Sequence, residues 1–154
     1  MRTLILGIGN LLICDEGVGV HVVHALQQEP LPPDVVAFEA GTAFLDAVPE
    51  IEQADRIIVV DAMKAGEAPG TIYRVPFEEC VRPDCIASLH GFDLSRVIFL
   101  AGRKSPPAVV VIGVEPARLD WGIELSPEVQ AAVPRVIETV KEEIKQTLSG
   151  MNCA

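Results

Sequence analysis

The sequence is poor in positive charge. Of its 154 residues, 12 are Lys or Arg and 22 are Asp or Glu, which gives a formal net charge of −10. Nucleic-acid binding requires clustered Lys and Arg side chains that neutralise phosphates. We therefore expect no nucleic acid among the partners of this protein.

The sequence also lacks a long apolar run. Stretches such as residues 108–114 are far shorter than the roughly 20 residues of a membrane-spanning helix. The apolar residues 4–9 follow Arg2, as in a signal peptide, but Asp15 and Glu16 stand where the small residues of a cleavage site would be. We predict a cytoplasmic protein with no membrane insertion.

Cysteine is scarce as well. The four cysteines, Cys14, Cys80, Cys85 and Cys153, form neither a CxxC pair nor a spacing pattern typical of a disulfide framework. Cys80 and Cys85 could be two zinc ligands, but no second pair with ligand spacing accompanies them. Free thiols are the interpretation that we favour.

What is present is typical of one globular domain. Apolar residues make up 49% of the chain and charged residues 22%. We predict a single domain over residues 1–154, with an ordered core over about 1–149, and we expect a monomer because no large apolar helix face or heptad seam stands out.

Apolar runs typical of buried strands alternate with segments of helical periodicity. Strands are predicted over 3–8, 34–39, 56–60, 70–76 and 108–114, and helices over 17–28, 42–53, 92–102 and from 127 onwards. Thr42 and Ser126 are the expected N-caps, and Pro134 should kink or split the last helix. The alternation predicts a three-layer α/β/α sandwich with a mainly parallel sheet.

In such a sheet, ligands bind at the carboxyl ends of the strands. The first strand leads into Gly7-Ile8-Gly9, which begins like a dinucleotide-binding motif, but Leu12 stands where the third glycine should be. Glu39, at the end of the predicted second strand, lies farther from the glycines in the sequence than the ribose-binding acid of that motif does. A nucleotide-binding α/β module is therefore an alternative that we do not favour.

Three other side chains fall at the same predicted edge. Glu16 precedes the first helix, Asp61 ends the apolar third strand, and His90 precedes a later helix. Two carboxylates and an imidazole suit a divalent metal with open coordination positions. We therefore predict a metal-linked site at Glu16, Asp61 and His90.

Other acidic residues have ordinary explanations. Asp15 lies at a helix N-terminus, where the helix dipole favours a negative charge, and we expect it to act as a cap. The remaining acids that we interpret as parts of solvated faces are Glu50, Glu52, Asp55, Glu138, Glu142 and Glu143.

Taken in order, several short motifs resemble those of the nickel-iron hydrogenase maturation endopeptidases. The motifs are Gly7-Ile8-Gly9-Asn10, Asp15-Glu16-Gly17-Val18-Gly19, Gly41-Thr42, Val59-Val60-Asp61-Ala62, Pro69-Gly70-Thr71, Ser88-Leu89-His90, Gly113-Val114-Glu115-Pro116 and Leu125-Ser126-Pro127. They span nearly the whole chain, and their shared order makes the resemblance specific.

The resemblance implies an α/β sandwich with a twisted central sheet and an endopeptidase activity. It implies removal of the C-terminal tail of a hydrogenase large-subunit precursor once nickel has been inserted. The family's three metal-contacting residues fall by motif on Glu16, Asp61 and His90. The expected metal is nickel supplied by the precursor, and we expect other divalent metals to be able to occupy the site in vitro.

The mechanism stays open, as does one rival function besides the nucleotide-binding module. The sequence shows no nucleophile in a recognisable context, so we expect hydrolysis without a covalent intermediate. A non-catalytic chaperone that checks for nickel would have the same site without cleavage. A zinc peptidase with its own metal is a variant of the main hypothesis.

Overall fold

The computed structural model of the chain describes residues 1–80, 91–102 and 104–151. Within these residues the structure has five strands and five helices. The strands are β1 (Thr3–Ile8), β2 (Val35–Gly41), β3 (Arg56–Ala62), β4 (Ile72–Pro76) and β5 (Ala108–Val114); the helices are α1 (Val18–Gln27), α2 (Val48–Gln53), α3 (Phe77–Cys80), α4 (Gly91–Leu100) and α5 (Pro127–Met151). Short 3-10 helices at Cys14–Gly17 and Phe44–Ala47 lead into α1 and α2.

All five strands form one sheet in the order β2-β1-β3-β5-β4. The β1, β2, β3 and β5 pairings are parallel, and β4 pairs with β5 in the antiparallel direction. The prediction of a mainly parallel sheet within an α/β fold is confirmed. β3 lies at the centre, so its carboxyl end, with Asp61, is flanked by strands on both sides.

The sheet separates two apolar cores because consecutive strand residues face opposite sides. On β3, Ile58 and Val60 pack into the core that α1 and α5 cover, while Ile57 and Val59 pack into the core on the side of α2 and α4. All four side chains are almost fully buried. This burial on both faces explains why the strand has an uninterrupted apolar sequence.

Helix α1 approaches the sheet very closely at Gly19. A Cβ atom there would lie 2.1 Å from the carbonyl oxygen of Val60 and 2.6 Å from that of Ile8. Only glycine allows this contact, which brings the start of α1 against the carboxyl ends of β1 and β3. The 3-10 helix that carries Glu16 is thereby held at the carboxyl edge of the sheet.

The helix predicted over 42–53 begins later than expected. Thr42 is exposed and caps nothing, because the chain first forms the 3-10 helix and enters α2 only at Val48. Pro49 lies in the first turn of α2, where the missing N–H has no intrahelical partner to lose. The prediction of Thr42 as an N-cap was therefore wrong.

Helix α5 begins as predicted, with Pro127 as its first residue and Ser126 before it. The hydroxyl of Ser126 accepts a hydrogen bond from the backbone N–H of Val129 at 3.4 Å. The split expected at Pro134 does not occur, and one helix continues to Met151. Pro134 and Gln130, four residues earlier, are both exposed, so water can satisfy the carbonyl that loses its helical donor.

Glu143 on α5 is buried, contrary to the prediction of a solvated face. Its side chain is 2% exposed and pairs with the guanidinium groups of Arg56 and Arg74. The hydrogen bonds from Arg74, followed by the charge of Arg56, hold the pKa of Glu143 below its ordinary range. Glu138 and Glu142 are exposed, as expected. The ion pairs attach α5 to the amino end of β3.

Three of the sequence predictions fall on residues that lie outside the described chain. These are the positions of His90, Cys85 and Cys153. Cys14 and Cys80 are buried free thiols, as predicted. None of the described helices combines the length and the apolar character needed to cross a membrane.

Candidate functional site

The candidate site lies at the carboxyl edge of the sheet, around Gly9. Gly9 has a φ of +124°, and its N–H donates to the carbonyl oxygen of Gly41 at 2.9 Å. A Cβ atom at position 9 would lie 1.9 Å from the carbonyl oxygen of Glu16 and 3.6 Å from Oδ1 of Asp61. Glu16 and Asp61 therefore border the same glycine, although 45 positions separate them in the sequence.

The two acids occupy different environments. Asp61 is fully buried, and its Oδ1 accepts a hydrogen bond from the N–H of Ala62 at 2.8 Å. Glu16 is half-buried in the 3-10 helix before α1. The carboxylate of Asp61 is thus fixed at the edge of the sheet, whereas Glu16 belongs to the connection between β1 and α1.

The third predicted ligand, His90, lies outside the described residues and directly precedes α4 in the sequence. Within the described part of the chain, no group of three His, Cys, Asp or Glu side chains is arranged to hold a metal ion. The structure therefore brings together two of the three predicted residues. Two carboxylates are hard oxygen donors, and an imidazole added to them would give a set suited to a divalent transition metal.

Asp15 has a role that the sequence did not predict. Its buried carboxylate caps no helix; instead it accepts hydrogen bonds from the N–H groups of Ala117, Arg118 and Ser126 and from the hydroxyl of Ser126, all at 2.7–2.8 Å. The expectation of a cap was wrong. The hydrogen-bond partners of Asp15 lie more than 100 positions away in the sequence, and a local pattern cannot indicate them. The Leu125-Ser126-Pro127 motif is the signal in the sequence that points to this contact, because Ser126 supplies two of the four donors.

Through these bonds, Asp15 holds residues 117–126, which we call the 117–126 loop. Backbone bonds add to the attachment: the N–H of Cys14 donates to Gly122 at 2.8 Å, and the N–H of Gly122 donates to Leu12 at 2.9 Å. Ile13 and Gly122 form an isolated parallel bridge. The loop is therefore fastened to the segment that immediately precedes Glu16.

A cavity of about 430 Å³ lies between this loop and Cys14. Its lining consists of Cys14, Arg118 and residues 121–127. Cys14 is 3% exposed, and burial is the main cause that raises the pKa of its thiol. A thiol with a raised pKa is a poor nucleophile, so Cys14 is unsuited to covalent catalysis.

Glu115 is a second buried carboxylate that the sequence analysis did not single out as a site residue. It follows β5, is 3% exposed and accepts a hydrogen bond from the N–H of Ala65 at 3.0 Å. Its backbone also bonds with Gly70 and Thr71. Glu115 thus holds the connection between β3 and β4 in place, through a contact at Ala65, which is four residues beyond Asp61.

A second cavity, of about 540 Å³, lies beyond the end of β2. Residues 42–46 line it together with Arg96 and Val97 of α4. It borders the candidate site because Gly41 accepts the hydrogen bond from Gly9. The acid weighed as a ribose ligand, Glu39, is instead paired with His24.

Comparisons with known proteins agree with this architecture. A family model described as "HycI: Hydrogenase maturation protease" matches residues 20–143. The hydrogenase 2 maturation protease of Escherichia coli K12 is 32% identical over 154 residues, which cover 96% of this chain and 93% of that protein. The hydrogenase expression/formation protein HupD of Thiocapsa roseopersicina is 36% identical over 149 residues, covering 93% of this chain and 67% of that protein.

Solved structures show the same fold. The hydrogenase maturating endopeptidase HybD from E. coli superposes with a TM-score of 0.83 at 30% identity, covering 96% of this chain and 94% of that chain. The [NiFe] hydrogenase maturation protease HybD from Thermococcus kodakarensis superposes with a TM-score of 0.76 at 28% identity, covering 92% and 98%.

Proposed function

The chain belongs to the hydrogenase maturation protease family and is a peptidase, and from this premise we propose that it removes the C-terminal tail of a nickel-iron hydrogenase large-subunit precursor after nickel insertion. The observation that carries the proposal is that the backbone carbonyl of Glu16 and the Oδ1 atom of Asp61 both border Gly9, which puts the two acidic residues at the carboxyl edge of the sheet. Carboxylates collected at that edge are suited to the ligand-binding position of a parallel α/β fold.

We assign recognition of the substrate's nickel to Glu16, Asp61 and His90. Three protein ligands leave coordination positions open, which suits a metal that arrives with its substrate. A divalent metal supplies Lewis-acid polarisation of the scissile amide or activation of a water. The protein's own contribution is to place one fixed carboxylate, that of Asp61, and one more accessible carboxylate, that of Glu16, beside the bond.

The proposed reaction is hydrolysis without a covalent intermediate. Water adds to the carbonyl carbon of the scissile bond, the C–N bond breaks, and the nitrogen leaves as an amine after taking up a proton. Cys14, the cysteine nearest the site in sequence, is buried and has a raised pKa, which supports this assignment. We further propose that the enzyme acts as a monomer.

The tail itself has a suitable path over the Gly41-Thr42 turn. This turn joins Gly9 to the 540 Å³ cavity beyond β2, and Thr42 is exposed. An extended segment lying there would pass the site on the side of α4. We propose this cavity as the position of the residues that flank the scissile bond.

Intact-mass spectrometry of a large-subunit precursor tests the proposal. The precursor is incubated with the protein, with and without inserted nickel, and loss of a C-terminal peptide from the nickel-loaded form alone is the expected result. Cleavage of both forms would contradict nickel recognition. Binding without any cleavage would contradict the peptidase assignment for this substrate and support a nickel-checking chaperone.

A further inference from the structure

The 117–126 loop displays apolar side chains to solvent beside the candidate site. Trp121 is 78% exposed, Ile123 69% and Leu119 38%, and Leu12, which bonds to the loop at Gly122, is 55% exposed. We call these four residues the apolar patch. A group of large exposed apolar residues with a charged rim is typical of a protein-protein interface, and Trp is among the residues most enriched at such interfaces.

We propose that the apolar patch docks the folded body of the large-subunit precursor, as a contact separate from the one that holds its tail. The inference rests on the proposed function for the identity of the partner. It adds a surface on this chain that determines how tightly the precursor is held while the tail is cut.

The loop that carries the patch is fixed before any partner arrives. Asp15 accepts four hydrogen bonds from the loop, and Gly122 bonds to Cys14 and Leu12 on the other side. A surface that is already ordered loses little conformational entropy on binding. The exposed apolar groups are therefore presented on rigid backbone, as a docking surface requires.

The position of the patch favours the same partner as the site. Cys14 and Asp15, which hold the loop, directly precede Glu16, so a protein whose tail reaches Glu16 has its body close to Trp121 and Ile123. The 430 Å³ cavity lined by these two residues and Cys14 has room for a protruding side chain of the partner.

The charge around the apolar patch indicates which kind of partner binds there. The exposed acids Asp120 and Glu124 directly adjoin patch residues in the loop and form an acidic rim, and Arg118 in the same loop is paired with Asp120. With the net charge of −10, an acidic rim disfavours both a second copy of this chain and an anionic membrane surface. The occupant is therefore a protein surface that combines apolar residues with Lys or Arg.

The test compares Trp121→Ala and Ile123→Ser with Phe99→Ser. Phe99 is 85% exposed on α4 and lies outside the patch, so it is a matched control for the loss of an exposed apolar group. Cleavage of the nickel-loaded precursor is followed by intact mass. We expect the patch variants to raise KM at least about tenfold with kcat unchanged, and Phe99→Ser to leave both constants unchanged.

A KM within twofold of the wild type for both patch variants would overturn the proposal. A direct binding measurement with the precursor separates it from the proposed function: if the wild type binds but does not cleave, the Kd of the variants still decides whether the patch is used. Sedimentation of the wild type and of Trp121→Ala tests the other occupant, because a dimer that dissociates in the variant would assign the patch to a second copy.

Discussion

The carboxylate of Asp15 receives hydrogen bonds from both the backbone N–H and the hydroxyl of Ser126, at 2.7 and 2.8 Å. The two residues are 111 positions apart, and the contact joins the segment before α1 to the start of α5. Asp15 and Glu16 are therefore adjacent acids in different settings: Asp15 holds the backbone around the site, and Glu16 is the residue for which we propose a role towards the substrate.

Replacing Asp15 with Asn should detach the 117–126 loop. In either orientation the Asn amide would place an N–H donor against a backbone donor, that of Ser126 or those of Ala117 and Arg118, and we expect a loss of about 3 kcal/mol in the free energy of unfolding. Urea denaturation measures the loss. Trp121 is the single tryptophan of the chain and lies on this loop, so its fluorescence reports the detachment directly. Asp34→Asn, at an exposed position, is the control and should change neither signal.

Replacing Glu16 with Gln should lower the cleavage rate of the nickel-loaded precursor at least about 100-fold, because a neutral amide is a weak metal ligand and cannot act as a base. The melting temperature should change little, since Glu16 is half-buried. Glu52→Gln, an exposed change on α2, should cleave at the wild-type rate. Undiminished cleavage by Glu16→Gln would remove Glu16 from the reaction.

Replacing Gly9 with Ala should disrupt the site and the fold together. The new Cβ atom would overlap the carbonyl oxygen of Glu16 at 1.9 Å, in addition to the strain of a φ of +124°. Gly66→Ala separates the two effects, because Gly66 has a φ of +86° with nothing within 4 Å. We expect Gly66→Ala to cost about 1 kcal/mol by denaturation and Gly9→Ala clearly more. Equal losses would show that strain alone matters at position 9.

Stability should decrease as the pH falls below about 6.5, the ordinary pKa of histidine. Burial is the main cause that lowers the pKa of His21, and no group among the described residues forms a hydrogen bond with its Nε2. Below this pH His21 binds a proton in the unfolded chain but stays neutral in the folded chain. Stability is therefore lost as the pH falls towards the folded-state pKa of His21. Urea denaturation at several pH values measures the slope, and His21→Gln should flatten it. An NMR titration that places the pKa of His21 at or above 6.5 would contradict the explanation.

Replacing Glu143 with Gln should destabilise the fold by about 3 kcal/mol, because Arg56 and Arg74 lose their shared carboxylate while Arg56 stays largely buried. Glu142→Gln makes the same chemical change at an exposed neighbouring position and should leave the free energy of unfolding unchanged. The pKa of Glu143 is lowered in the folded chain, so as the pH falls below the ordinary pKa of Glu the unfolded chain takes up this proton first. The stabilisation from Glu143 should therefore also be lost in acid.

The parallel strands could be predicted because a strand buried on both faces needs a continuous apolar run, as β3 and β5 show. The antiparallel direction of β4 was not specified. Only nine residues and no helix join β3 to β4, which is too short for the usual crossover between parallel strands. At Thr42 the local capping signal was overridden, because Gly41 is held by Gly9 with a positive φ of +57°.

The candidate site was predictable only in part. The position of Asp61 near the carboxyl end of an apolar strand could be predicted, and that strand is the central one of the sheet; its metal-binding role stays a prediction. The tasks of Asp15, Glu115 and Glu143 could not be predicted because their partners lie 50 or more positions away in sequence. Local patterns describe a residue's own element, and these three carboxylates join separate elements.

The direction of α5 has a practical consequence for handling the protein. The helix starts beside Asp15 at the carboxyl edge, and Glu143 lies against Arg56 at the amino end of β3, where the backbone of Arg2 is also bonded. Residue 1 and the last turn of α5 are therefore both remote from Gly9. An affinity tag or an immobilisation linker joined to residue 1 would leave the opposite edge open, so protein tagged there can serve in pull-down and surface-capture experiments without obstructing a large incoming partner.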